Sequence, residues 1–336
     1  MRKLLVFLLL LACGPVGFDP IGKLTSVRVL AAKADKPYAK PGDTVTLTMD
    51  AFDARSGLNA GGSPMKIYWL PFLCEDPPSD LYYACFASLV SSGGGGGGGG
   101  GGVFPPNIDV TDLLPQGTTS TFTLPSDVID KHAVIAGLPE QYGVVFTFAL
   151  ACAGRVKTLP IDPESGNGQV VPLGCFDDQG NQLGPDDYVF TYTRVYAYAN
   201  TTNENPQIDA VTFDGQTVDT NAGVVIQHCD DSIAPGSCAG HPVNVTIPDS
   251  SWELATGAPI APDGTQLHEE IWADYYFTLD NFASDGKLIF DARTGRVPGS
   301  DNDYLAPLVP GQGRLFIVVH DNRNGAAWVD FPIVVR

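Results

Sequence analysis

The sequence has little positive charge and no long apolar run. Lysine and arginine number 19 against 38 aspartate and glutamate, for a formal net charge of −19. A chain this poor in cations lacks the basic stripes that displace counterions from nucleic acid. It also carries no polybasic segment for an anionic membrane surface. No stretch reaches the roughly 20 apolar residues that a bilayer-spanning helix needs. Helical periodicity is nearly as scarce: it is confined to Ser126–Ala136, where Ser126 is placed to cap and Val128, Ile129, His132 and Ile135 share a face. No phosphate-cradling glycine turn sits between a strand and a helix. These absences argue against nucleic-acid binders, membrane-spanning helices and βαβ nucleotide enzymes.

What is present begins at the N-terminus. Arg2 and Lys3 precede the apolar run Leu4–Leu11, which Ala12-Cys13-Gly14 closes. That is the length and flanking pattern of a secretory signal. Removing residues 1–12 leaves 336 − 12 = 324 residues and 17 cations against 38 anions, a net of −21. Such a length suggests about two domains. Cysteine usage agrees with export, because six cysteines follow Cys13: Cys74, Cys85, Cys152, Cys175, Cys229 and Cys238. An even number in an oxidising compartment favours disulfides. Sequence proximity predicts Cys74–Cys85, Cys152–Cys175 and Cys229–Cys238.

Strand patterning dominates the rest. After the Pro41-Gly42 turn, Val45, Leu47 and Met49 alternate with Thr44, Thr46 and Thr48, as in a half-buried antiparallel strand. Met65–Phe72, Gly143–Ala151 and Tyr188–Tyr198 follow, the second nearly all apolar and therefore expected at the centre of a sheet. Asn203-Glu204-Asn205-Pro206 reads as a linker. Beyond it, Ile208–Phe213, Val243–Ile247, Trp272–Leu279, Lys287–Phe290, Arg314–His320 and Ala326–Val335 read as strands. The last two flank an Asn-Gly hairpin loop, Asp321–Gly325, and Val329, Phe331, Ile333 and Val335 are expected to face the core. The ten glycines Gly93–Gly102 are expected to form a mobile surface loop inside the first domain. Short strands, frequent Gly/Pro turns and scarce helix predict an all-β chain of two tandem antiparallel sandwiches.

Leu10-Leu11-Ala12-Cys13 resembles the lipobox of bacterial lipoproteins. Taken with Pro41-Gly42-Asp43-Thr44-Val45, Tyr192-Thr193-Arg194-Val195-Tyr196, and Val319-His320-Asp321-Asn322-Arg323 with Trp328, the chain resembles surface lipoproteins of Gram-negative bacteria that carry immunoglobulin-like sandwiches. That resemblance implies a signal peptide over 1–12, an acylated Cys13, and a lipidated tether over 13–24. It places one immunoglobulin-like sandwich at 25–202, a linker at 203–206 and a second sandwich at 207–336. Gly14 is not the aspartate associated with inner-membrane retention, so the outer membrane or cell surface is expected. The locally spaced cysteines depart from antibody-type domains, and no inter-sheet disulfide is expected.

Few constellations suggest chemistry. His228, Cys229, Cys238 and His241 lie within fourteen residues and could bind zinc tetrahedrally, giving a metal-assisted enzyme as the alternative reading. Export instead favours oxidation of the two cysteines. His268-Glu269-Glu270-Ile271-Trp272 begins like a metalloprotease motif but lacks its second histidine. Gly236-Ser237-Cys238-Ala239-Gly240 mimics a nucleophile elbow without the flanking strand and helix. Asp177, Asp178 and Asn181, with Asp186 and Asp187, offer oxygen ligands or a binding loop, as does Asp301-Asn302-Asp303; neither set matches an EF-hand. Arg323 is the charged contact offered by the Asp321–Gly325 loop. Tyr188, Phe190, Tyr192, Tyr196 and Tyr198 line one strand face around Arg194, suited to stacking on sugars or partner side chains as well as to packing. The expectation is a non-enzymatic binding or structural module with no cofactor. It would touch the membrane through its N-terminal lipid, take an unidentified protein or polysaccharide partner, and bind no nucleic acid.

Overall fold

The computed structural model describes residues 20–55, 63–86, 107–159, 173–229, 239–254, 260–279 and 281–336. Cys13, Cys238 and the Gly93–Gly102 run lie outside the described residues. The first half contributes β1 (Val27–Ala34), β2 (Tyr38–Ala39), β3 (Thr44–Asp53), β4 (Lys66–Trp69), β5 (Cys74–Glu75), β6 (Thr119–Thr123), β7 (Gly143–Cys152), β8 (Arg155–Thr158), β9 (Leu173–Phe176) and β10 (Tyr188–Ala197). The second half contributes β11 (Ala210–Phe213), β12 (Gln216–Thr217), β13 (Val224–Ile226), β14 (Gly240–Thr246), β15 (Ile271–Phe277) and β16 (Asn281–Phe282). It continues with β17 (Gly286–Asp291), β18 (Gly295–Arg296), β19 (Asn302–Leu305), β20 (Gly311–Asp321) and β21 (Ala326–Val335).

The two halves share one wiring. In the first, β1-β3-β6 faces β2-β10-β7-β4, with β5 added on β7. In the second, β12-β11-β14-β19-β16 faces β13-β21-β20-β15-β17-β18. In each half a short early strand crosses to the opposite sheet and pairs in parallel with the last strand, β2 with β10 and β13 with β21. The other ladders are antiparallel. This repeated two-sheet path, with the last two long strands paired at the centre of the larger sheet, is an immunoglobulin-like sandwich twice over.

Side-chain alternation explains each inward face. Val45, Leu47 and Met49 of β3 are buried in the first core. Their threonine neighbours pair hydroxyls across to β6, Thr44 with Thr123 at 3.3 Å and Thr46 with Thr121 at 3.2 Å. Phe331, Ile333 and Val335 of β21 enter the second core, and Val329 packs against it.

Two strands are apolar on both faces. Along β7, Val145, Ala149 and Ala151 face the sandwich core, whereas Val144, Phe146, Phe148, Leu150 and Cys152 enter a separate outer cluster. That cluster is roofed by Phe86, Val110, Val156 and Leu173, among others, from the connections that flank β7. A strand covered on both sides reads as a continuous apolar run. The same holds for β20: Leu315, Ile317 and Val319 point into the second core, while Phe316 and Val318 join Leu24, Leu30 and Ala31 between the two sandwiches. Leu30 reaches that seam because β1 bulges between Val29 and Ala31, leaving one residue unpaired and re-aimed. Phe52 meets Phe316 at 4.8 Å between ring centroids, and the Lys33 ammonium lies 4.6 Å over Trp328.

Two expected disulfides are present, Cys74–Cys85 and Cys152–Cys175, with Cα separations of 5.7 and 5.8 Å. Both pin the outer cover onto β7 rather than joining the sheets of the sandwich. Cys229 is also disulfide-bonded.

The structure corrects two expectations. The helix expected over Ser126–Ala136 is a single turn, α1 (Val128–Lys131), without a side-chain cap. Val128 is fully buried beneath β7, but His132 turns extended, its ring bound to Asp80 Oδ1 at 3.0 Å, and the turn ends there. The tether expected over 13–24 is packed at its end: Leu24 N donates to Phe277 O at 2.8 Å and Phe277 N to Gly22 O at 2.9 Å. A Cβ on Gly22 would collide with the Tyr275 carbonyl, so this edge pairing requires glycine.

Candidate functional site

The site begins in the turn between β20 and β21. Asn324 is left-handed at φ 77°, a region asparagine enters more readily than most residues. Asp321 organises the loop: its Oδ1 accepts from the backbone amides of Arg323 and Gly325 at 2.7 Å each, and its Oδ2 from Asn203 Nδ2 at 3.1 Å. A side chain at position 325 would strike the Asp321 carboxylate. The ordered loop then reaches three ways. Arg323 Nε donates to Glu269 Oε2 at 2.9 Å, and Nη2 to the Glu253 carbonyl at 3.3 Å. Asn324 Nδ2 donates to the Arg194 carbonyl on β10 at 2.8 Å. Asn205 of the linker accepts from Ala326 N at 3.0 Å and donates to the Ala34 carbonyl at 2.7 Å. Linker, loop and both sandwiches are thereby clasped by polar bonds, buried at Asp321 and partly buried or exposed where they reach the first sandwich.

Burial sets the electrostatics of this clasp. The Arg323 side chain is 11 % exposed and that of Glu269 1 %. Desolvation pushes Glu269 up to about 7, against the pull of Arg323, and raises Glu253 and Asp321 for the same first reason. On the other side of the seam, burial and the nearby Asp330 raise Asp50 to about 6, partly offset by Arg314.

Beside the clasp opens a cleft of about 200 Å³. One wall is a cluster of tyrosines: Tyr38 lies 4.7 Å from Tyr198 and 5.9 Å from Tyr196, and Tyr142 lies 5.5 Å from Tyr196. Arg194 covers Tyr196 at 5.1 Å from the ring centroid, and Asn322, Arg323 and Asn324 close the opposite side. Burial raises all four phenols above the usual range, with Asp80 adding to the shift of Tyr142, so they stay protonated. The neighbouring carboxylates are occupied. Asp80 accepts from Tyr142 at 2.6 Å, and Glu140 accepts from Thr201 Oγ1 at 2.6 Å and Asn200 N at 2.7 Å. Further along the same strand face Tyr192 is 42 % exposed and stacks on Tyr82 at 4.0 Å. A larger cleft of about 310 Å³ lies at the 297–301 turn, where Arg296 is already held by Ile247 O and Asp249.

Other sequence candidates are placed differently. Arg323, offered as a charged contact for a partner, is spent on Glu269; the loop is a clasp and only its rim faces the cleft. Asp187 is bound to Arg55 at 2.8 Å, and Asp177 accepts from Asn181 N at 2.8 Å and Nδ2 at 2.9 Å, which stabilises the turn and lowers its pKa. Asp178 and Asp186 are exposed on the same connection. Asn302 is buried in β19 and exchanges hydrogen bonds with Ser284. Of the four zinc candidates Cys238 lies outside the described residues, and the other three are engaged elsewhere. Cys229 is oxidised and cannot act as a thiolate, His241 Nδ1 is 2.7 Å from Asp214, and His228 Nδ1 contacts the Arg336 carbonyl at 2.7 Å. Among the described residues, no group of three or more His, Cys, Asp or Glu side chains is placed to hold a metal. Glu269 was missed as a site residue: in sequence it looks like the remnant of a failed metalloprotease motif, and nothing local signals its partner 54 residues away.

No protein-family profile matches the chain, and no curated protein matches it. Among solved structures, the D0-D1 domain of intimin is similar at 11 % identity, covering 90 % of this chain and 98 % of that one, with a TM-score of 0.18. The tandem Ig repeats of Dlar align at 9 % identity over 93 % of this chain and 98 % of that one, with a TM-score of 0.20. Dimeric latent PorU from Porphyromonas gingivalis aligns at 10 % identity over 94 % of this chain but 24 % of that one, with a TM-score of 0.21. Superposition this loose carries no functional argument. The assignment of two immunoglobulin-like sandwiches rests on the strand wiring of the chain itself.

Proposed function

We propose that this chain is a non-enzymatic binding module of the cell envelope, anchored at the outer membrane or cell surface through an acylated Cys13. The observation that carries the binding role is the cleft at the clasped seam, where stacking rings and hydrogen-bond donors converge on a pre-ordered scaffold. Recognition groups held rigidly at the end of a sandwich are the usual way this architecture binds. The anchor rests on the leader, and two or more acyl chains hold a protein stably at about 0.8 kcal/mol per buried methylene.

Two measurements on intact cells test the proposal. Cys13→Ser should release the protein into the soluble fraction or leave an unprocessed precursor; unchanged processing and membrane retention would rule out the anchor. Surface cross-linking of the intact protein should capture a partner molecule, and Arg194→Ala at the cleft should weaken that capture without lowering Tm. Cross-links unaffected by every cleft substitution would move the binding role elsewhere. Turnover of any substrate that depends on His228 or His241 would overturn the non-enzymatic reading.

A further inference from the structure

We propose that the seam cleft is the subsite for a single carboxylate-bearing sugar within an otherwise neutral glycan. This inference rests on the binding-module reading and names the ligand of the same site.

Three observations lead to it. The first is an available cation. Arg55, Arg155, Arg293, Arg296, Arg314 and Arg323 each hold a carboxylate. Arg194 is exposed and, among the described residues, its guanidinium meets only the Tyr196 ring. The carboxylates nearest the cleft, Asp80, Glu140 and Asp321, are already satisfied by donors of their own. The planar fork of arginine suits a bidentate carboxylate, and here the carboxylate has to come from the ligand.

The second is the character of the wall. Among the described residues, the cleft is lined by tyrosine rings, arginine and asparagine, with no aliphatic side chain. With the Tyr142 hydroxyl held by Asp80 and Arg194 over the Tyr196 ring, Tyr38 and Tyr198 leave ring surface and hydroxyl edges that match the C–H face and hydroxyl rim of a pyranose. Asn322 Oδ1 already accepts from Glu270 N and Asn324 Nδ2 donates to the Arg194 carbonyl, which leaves the Asn322 amide N–H groups and the Asn324 Oδ1 for the remaining hydroxyls. A volume of about 200 Å³ is below the usual range for whole small-molecule ligands, so one ring enters and the rest of the chain lies outside.

The third is the path away from the cleft. Tyr192 and Tyr196 project from the same face of β10, four residues or about 13 Å apart, with Arg194 between them. Tyr192 is backed by Tyr82, giving a second exposed platform for the glycan to continue on. The chain's net charge of −19 repels a polyanion, so the acidic unit is isolated among neutral ones.

The test is calorimetric titration of the full-length processed protein with oligosaccharides bearing one glucuronic, galacturonic or mannuronic acid. Their methyl esters, neutral oligosaccharides of equal length, and polygalacturonate are titrated alongside. One of the singly acidic probes should bind at least about tenfold more tightly than its ester, the size expected of a charge-assisted pair. Arg194→Ala should remove that difference with Tm unchanged, and Tyr192→Ala should weaken the longer oligosaccharides but not the shortest. Equal binding of acid and ester, loss of no affinity in Arg194→Ala, preference for the polyanion, or no binding by any probe would each overturn the inference. If glycans fail while Arg194→Ala still abolishes a protein cross-link on cells, the glycan is rejected and the binding-module reading stands. If both signals are missing, that reading loses the cleft as well.

Discussion

Glu269 and Arg323 show how much one buried pair can decide. The carboxyl of Glu269 is raised to about 7 by desolvation, against an ordinary value of 4.5 in the unfolded chain. A raised acid binds more protons folded than unfolded, so its stabilising contribution is complete below 4.5 and is lost as pH rises through about 7. Asp50 adds the same sign over a lower window, up to about 6. Thermal stability should therefore fall between pH 5 and pH 8, and Glu269→Gln should flatten the upper part of that fall while leaving the Asp50 part. A Tm that rises over this range would refute the assignment. Arg323→Ala removes the pull against desolvation, so Glu269 takes up a proton and keeps unmade hydrogen bonds, and a loss of about 1–3 kcal/mol in denaturant titration is expected. The double replacement Arg323→Met with Glu269→Leu should recover most of that loss, because no buried polar group is then left unpaired.

At the scale of elements, the connection between the last two long strands differs most between the sandwiches. In the second half it is the tight Asp321–Gly325 turn; in the first it carries the β8-β9 hairpin, which folds back over the outer face of β7. The Cys152–Cys175 bridge ties β7 to that hairpin over 23 residues. Replacing both cysteines with alanine should cost about 2–4 kcal/mol. It should also raise amide exchange in β8, β9 and the outer face of β7 ahead of β3 and β6, which belong to the other sheet. Uniform loss of protection across the first sandwich would contradict a separate outer layer. The strands themselves were legible in sequence, since alternation is a property of a few neighbouring residues. The helix over Ser126–Ala136 was over-read because its periodicity continues past the point where His132 is drawn to Asp80.

At the scale of the molecule, the seam joins the sandwiches through Leu30, Phe52, Phe316 and Val318, and through the polar clasp of linker and loop. Phe316→Ala should remove an aromatic contact buried on this seam at about 3–5 kcal/mol. It should also broaden the particle's solution scattering as the sandwiches move apart, with each core intact. An unchanged scattering profile together with unchanged stability would show that the seam does not hold them. The seam should loosen as pH rises through about 6, because Asp50, on β3 facing Arg314 and Asp330 of the second sandwich, loses its proton there.

Sequence by itself determined the all-β class and the inward faces of β3 and β21, since each follows from a two-residue period; nearness along the chain favoured local cysteine pairs, and the tertiary structure selected Cys74–Cys85 and Cys152–Cys175. Sequence also located the apolar runs of β7 and β20. It could not say why they are apolar on both sides, because the covers come from elsewhere: the roof over β7 from its flanking connections, and the cover over β20 from the first sandwich. Arg323 looked like an exposed loop cation, and Asn203 and Asn205 like a solvated linker. Only the tertiary structure turned them inward, because their partners Glu269, Asp321 and the Ala34 carbonyl lie 54, 118 and 171 residues away. Pairings across such distances leave no local pattern, and it is those pairings that built the cleft.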